Sequence, residues 1–228
     1  GVDYLVCLGT TSEYPTLSEQ EKLAILAFTI EKVEGRVPIV LGMGGNDTRC
    51  LVEKIRKTDL SAISAILSVA PYYNKPNQKG LYSHFKAVAE AADVPVVLYN
   101  VPGRCGVNIS ADTTIQLAKD FPNIIGIKEA SGNMAQCMDI LLNRPQGFTV
   151  VSGEDALVLP LMALGMQGVI SVTANAFPRL MSEMVAHSLK SNLKKARAIH
   201  ETLLPFSNAI FEEGNPVGIK AALEILGI

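Results

Sequence analysis

The chain has 228 residues, 48% of them hydrophobic and 18% charged, and 20 basic against 22 acidic side chains leave a net charge of −2. Such a composition excludes a disordered chain, which lacks the apolar surface to offset ordering entropy. The near balance of charge argues against nucleic acid or an anionic membrane as the main partner, and no apolar run approaches the roughly 20 residues of a membrane span.

The first β-rich apolar run covers 4–8. Ser18 and Glu21 then form a capping box, and Leu23, Leu26, Ala27, Ile30 and Val33 follow at helical spacing as one apolar face. A second run, 37–41, precedes a helix capped by Asn46 or Asp47 and carrying Leu51, Val52 and Ile55. The third run, 62–69, leads to a helix over 78–91, and the fourth, 94–99, to one over 110–119. The fifth, 124–128, leads to 134–142; the sixth, 148–151, leads to 156–164; the seventh run is 169–172. From 179 to 228 only helices are predicted, with Asn215-Pro216 as cap and first residue of the last.

These runs are apolar throughout rather than alternating, the pattern of strands buried on both faces of a parallel sheet. Seven β/α units predict an α/β protein. A (β/α)8 TIM barrel whose first unit is missing from this chain fits better than a doubly wound sheet, because no dinucleotide fingerprint is present. The glycine-rich stretch 42–47 puts Asp47 where that fingerprint needs a glycine. Residues 1–178 are read as barrel units two to eight and 179–228 as an incomplete C-terminal helical region. The opening Gly1, which is not a start methionine, leads to the same expectation of an absent N-terminal piece.

Cys7, Cys50, Cys105 and Cys137 are widely spaced and lack a C-x-x-C pair, as in a reduced, cytoplasmic protein. His84, His187 and His200 all fall in predicted helices, so a zinc-dependent mechanism lacks strand-end ligands.

Chemistry in a barrel sits at the C-terminal ends of the strands. Lys128 ends the buried run 124–128. Lost hydration would favour its neutral amine, a nucleophile able to form a Schiff base with a carbonyl. The alternative is an ion pair with Glu129 or another nearby carboxylate. Tyr99 ends the preceding strand, where a phenol could shuttle protons to and from a carbinolamine or simply complete the core. Thr10 and Thr11 could hold a small carboxylate, relay a proton or cap a helix. Arg104, after Pro102-Gly103, could grip a carboxylate bidentately or lie on the surface.

Five segments carry a resemblance: 9–13 (GTTSE), 71–76 (PYYNKP), 99–104 (YNVPGR), 126–132 (GIKEASG) and 168–175 (GVISVTAN). In order and spacing they resemble the dihydrodipicolinate synthase family of pyruvate-dependent class I aldolases, over essentially the whole chain. The resemblance implies a lyase that condenses pyruvate with aspartate semialdehyde on the route to diaminopimelate and lysine. No cofactor is implied beyond the covalent pyruvate imine. Lys128 matches the Schiff-base lysine and Tyr99 the general acid/base. Thr10 and Tyr73 match the rest of the proton relay, Tyr73 reaching in from a neighbouring subunit. Thr11 matches the threonine at the pyruvate carboxylate, and Arg104 the arginine at the semialdehyde carboxylate. Ile170 matches a residue of the pyruvate pocket, and Gly153, at the sixth strand end, is placed among the substrate-binding residues.

A homotetramer built of dimers is also implied. Sister enzymes, N-acetylneuraminate lyase and the keto-deoxy sugar acid aldolases, share the lysine and tyrosine; Thr11 and Arg104 favour an acidic four-carbon aldehyde over a polyol. An inactive fragment or paralogue acting only in assembly is the remaining alternative. Ser12 departs from the family's usual glycine, in a loop expected to need an unusual φ.

Overall fold

The computed structural model describes all 228 residues. Seven parallel strands pair strictly in chain order: β1 (Leu5–Cys7), β2 (Ile39–Gly42), β3 (Ala65–Val69), β4 (Val96–Asn100), β5 (Ile124–Glu129), β6 (Thr149–Ser152) and β7 (Gly168–Val169). A doubly wound sheet reverses its order at a switch point. This sheet never does, and so it curls in one sense as a barrel wall. The helical region after β7 returns to the segments flanking β1: the Ser182 hydroxyl donates to the Gly1 carbonyl, and Asn215 reaches Thr11. No β7–β1 ladder forms.

Helices cross over between the strands: α1 (Glu19–Val33), α2 (Thr48–Lys57), α3 (Gln78–Ala91), α4 (Pro102–Cys105), α5 (Ala111–Asp120), α6 (Met134–Asn143) and α7 (Val158–Ala163). After β7 come a 3-10 turn (Thr173–Asn175), α8 (Pro178–Leu189), α9 (Leu193–Ala209) and α10 (Val217–Ile225), and no strand. Side chains close most of the long helices at their N-termini. Ser18 and Glu21 form the capping box of α1, Asp47 accepts from Cys50 N at 3.0 Å, and Asn77 accepts from Gly80 N at 3.0 Å. Each such cap stabilises its helix by about 1 kcal/mol. The core lies between sheet and helices, where Ile66, Leu98, Leu81, Phe85 and Val88 are wholly buried. Burying each large side chain contributes about 1.5–3 kcal/mol.

Four local expectations are corrected. On α1, Leu26 and Val33 are buried, but Leu23 is 61% exposed and Ala27 also faces out. The helix over 156–164 is split into a 3-10 turn (Asp155–Leu157) and α7. The strand expected over 169–172 ends at Val169, because the Asp155 carboxylate captures the Val172 and Thr173 amides at 2.9 and 2.7 Å. Those amides are thereby taken from any ladder. Pro216 stands at the N-cap of α10 rather than inside it, and Asn215 caps nothing.

Candidate active site

The β4–β5 register sets the centre of the site. Tyr99 lies opposite Lys128, and Asn100 opposite Glu129. Alternation along a strand sends the two pairs to opposite faces. Lys128 is 8% exposed, and its Nζ lies 4.2 Å from the centroid of the Tyr99 ring. It makes no ion pair. Glu129, the partner in the alternative reading, is engaged on the other face, accepting from Asn100 Nδ2 at 2.9 Å, Gln136 Nε2 at 2.9 Å and Ser131 N at 2.7 Å. Three donors satisfy that buried carboxylate, so it has no need of the lysine. Lys128 thus lies buried against an aromatic face without a carboxylate partner.

Thr10 donates to the Tyr99 hydroxyl at 3.2 Å. It sits in a 3-10 turn (Thr10–Ser12) directly after β1. The left-handed residues of this segment are Leu8 (φ 58°) and Glu13 (φ 57°), not Ser12. The Ser12 hydroxyl instead donates to the Gly9 carbonyl at 2.6 Å, so serine is accommodated without strain. Gly153 leaves room for the lysine: a Cβ there would come 2.9 Å from Lys128 Cε and 2.6 Å from Ala130 Cβ. Ile170 follows β7, and its N–H donates to the Ser152 carbonyl at 2.9 Å.

A cavity of about 490 Å³ opens beside this centre. Thr10, Tyr72, Tyr73, Tyr99, Arg104 and Asn215 all contribute to its wall. Thr11, Lys128, Gly153 and Ile170 do not, and Tyr99 is the side chain that the cavity shares with Lys128. Arg104 reaches across to donate from Nη2 to the Asn215 carbonyl at 3.0 Å, and Thr11 Oγ1 accepts from Asn215 Nδ2 at 3.0 Å. Tyr73 is 88% exposed at the rim, at φ 73°. It makes no hydrogen bond to Thr10 or Tyr99, which pair with each other. A left-handed φ costs a bulky side chain on the order of 1 kcal/mol or more, a strain that clusters at functional positions.

Two residues of the site were not assigned from the sequence. Glu154, after Gly153, is half-buried; burial, then the neighbouring Asp155 carboxylate, raises its carboxyl above the ordinary value, while Lys128 and Arg104 pull it the other way. A carboxylate following a strand-end glycine was a visible signal. Asn215 gave no local signal, since its partners lie 204 and 111 residues away. The histidines sit on α3, α8 and α9, and no three His, Cys, Asp or Glu side chains gather to hold a metal ion. His84 is a core residue: burial holds its imidazole down at about 4, and Nδ1 meets Thr48 Oγ1 at 2.8 Å.

Residues 1–228 match the model of the Dihydrodipicolinate synthetase family. A 4-hydroxy-tetrahydrodipicolinate synthase of Parabacteroides distasonis is 52% identical over 227 residues, which cover all of this chain and 76% of that protein. The crystal structure of dihydrodipicolinate synthase from Aquifex aeolicus superposes with a TM-score of 0.96 at 40% identity, covering all of this chain and 78% of that one. A monomeric dihydrodipicolinate synthase variant superposes equally well, with a TM-score of 0.96 at 40% identity, covering all of this chain and 77% of its own.

Proposed function

The chain belongs to the Dihydrodipicolinate synthetase family, and on that premise we propose how the residues around Lys128 carry the family's reaction. The reaction is the condensation of pyruvate with L-aspartate 4-semialdehyde to 4-hydroxy-tetrahydrodipicolinate, in diaminopimelate and lysine biosynthesis. Pyruvate is held covalently as an imine on a lysine, with no metal or external cofactor. Lys128 is that lysine. Its amine adds to the pyruvate ketone and water leaves, forming the imine. Loss of a methyl proton gives an enamine, whose carbon attacks the aldehyde. The semialdehyde's own amine then displaces Lys128 from the imine carbon, closing the ring and freeing the enzyme.

Each step moves a proton. Tyr99 gives and takes it beside the lysine, and Thr10 carries it onward. Thr11 binds the pyruvate carboxylate, Arg104 binds the semialdehyde carboxylate, and Gly153 and Ile170 shape the pyruvate pocket. The observation that carries this reading is the unpaired Lys128 amine, 4.2 Å from the ring of a tyrosine that hydrogen-bonds Thr10.

Tyr73 completes the relay of a second copy of this chain, in a homotetramer built of dimers. Its exposure at the cavity rim supports this role. The four free thiols, three of them buried, support a reducing compartment, the cytoplasm.

Assay of purified enzyme with pyruvate and either aspartate semialdehyde or N-acetylmannosamine tests the substrate. Turnover is expected with the first alone. Arg104→Ala should raise the KM for the semialdehyde at least about tenfold, the cost of one charge-assisted pair, with little change in thermal stability. Equal turnover of the sugar would assign the chain to a sister aldolase.

A further inference from the structure

Asn215 joins residues that the sequence keeps far apart. Its Nδ2 donates to Thr11 Oγ1 at 3.0 Å, and its backbone carbonyl accepts from Arg104 Nη2 at 3.0 Å. It lines the 490 Å³ cavity with Pro216. The segment is held in place by its surroundings. Gly214 turns the chain at φ 84°. Gly218 presses the start of α10 so closely on the end of the preceding helix that a Cβ would lie 2.5 Å from Ile210 Cα. Lys220 adds an exposed ion pair to Glu13 at 3.1 Å.

We propose that Asn215 is a positioning residue that sets the direction of the Thr11 hydroxyl proton, and through it the affinity for the pyruvate carboxylate. This rests on the reading of Thr11 as the residue at that carboxylate. A hydroxyl has one proton to donate and lone pairs to accept with. With an amide N–H occupying a lone pair of Thr11, the proton turns away from Asn215. It is then free to be donated to an acceptor, and a carboxylate is an acceptor-only group. Asn215 Oδ1 is buried without a partner. In the reversed amide orientation the buried, unpartnered group would be an NH₂ with two donors, which is the costlier arrangement. Arg104 is held by the main-chain carbonyl, so side-chain substitution at 215 leaves that contact in place. Semialdehyde binding and pyruvate binding therefore separate experimentally.

The test measures the KM for pyruvate, the KM for the semialdehyde and kcat for four enzymes: Thr11→Val, Asn215→Asp, Asn215→Ala and the double variant Thr11→Val/Asn215→Asp. An aspartate at 215 accepts the Thr11 proton and sets a negative charge beside the substrate carboxylate. Asn215→Asp is expected to raise the pyruvate KM about tenfold or more, as when a hydrogen bond to a charged group is lost. The KM for the semialdehyde and kcat should stay within about twofold, a split that a merely structural role would not give. Asn215→Ala, expected to raise the pyruvate KM by about threefold, carries the test if the aspartate variant does not fold. In the Thr11→Val background, Asn215→Asp should cause a smaller rise, because the hydroxyl it would redirect is gone and only the repulsion of the added charge remains. If Thr11→Val raises the pyruvate KM but both Asn215 variants leave it unchanged, the inference fails while the site reading stands. If Thr11→Val itself leaves the pyruvate KM unchanged, the reading of Thr11 fails first.

Discussion

The two halves of the site are built differently. Lys128 and Tyr99 stand on adjacent strands, paired by the β4–β5 register. Behind them Asn100 and Glu129, each at most 1% exposed, are locked together and to Gln136 and the Ile109 amide. Thr11, Arg104 and Asn215 lie instead on a 3-10 turn, a four-residue helix and the segment before α10. Their links cross more than 100 residues of sequence and are partly open to solvent. The residues proposed to make and break covalent bonds are thus set by ladder hydrogen bonds and a filled polar network. Those proposed to select the substrate hang from connections that can change without disturbing the sheet. Precise geometry at the reacting atoms is what the first arrangement supplies, and loop-borne recognition is what the second permits.

This contrast can be broken from the strand side. Tyr99→Phe removes one oxygen and leaves the ring against Lys128. It should lower kcat by about 10²–10⁴-fold while the pyruvate KM changes little, since a general acid/base is lost but packing is kept. Steady-state kinetics alongside imine trapping separate the two effects. An unchanged kcat would remove the phenol from the proton path.

Glu129→Gln sharpens the comparison. One oxygen of the carboxylate becomes an N–H donor facing donors, since Oε2 already receives Asn100 and Gln136 and Oε1 receives the Ser131 amide. The expected cost is about 1–3 kcal/mol of stability, measured by denaturant unfolding, together with slower imine formation. The Arg104 and Asn215 substitutions should cost less than this in stability. If Glu129→Gln unfolds no earlier than either, the two halves are equally soft and the contrast fails.

Local sequence carried most of the fold because its signals were local. Buried β-runs, the Ser18–Glu21 box and the Asp47 cap need no distant partner to be read. Lys128 and Tyr99 stood out as candidates because each is a polar residue ending a buried run, but the run alone left an ion pair or a core tyrosine open, and only the family resemblance gave them roles. The failures share the opposite cause. The strand after Val169 is cut short by Asp155, and Asn215-Pro216 resembles a helix start while its side chain serves Thr11 across the fold. On α1 the apolar residues outnumber the buried positions available, so spacing alone could not show that Leu23 faces out.

The central claim is that one buried amine, Lys128, carries pyruvate. Borohydride reduction of the enzyme with pyruvate, followed by peptide mass mapping, tests it most directly. One reduced pyruvyl adduct per chain is expected, on the peptide containing Lys128, and none in Lys128→Ala. An adduct on another lysine, or a folded and active enzyme that Lys128→Ala leaves active, would contradict the account.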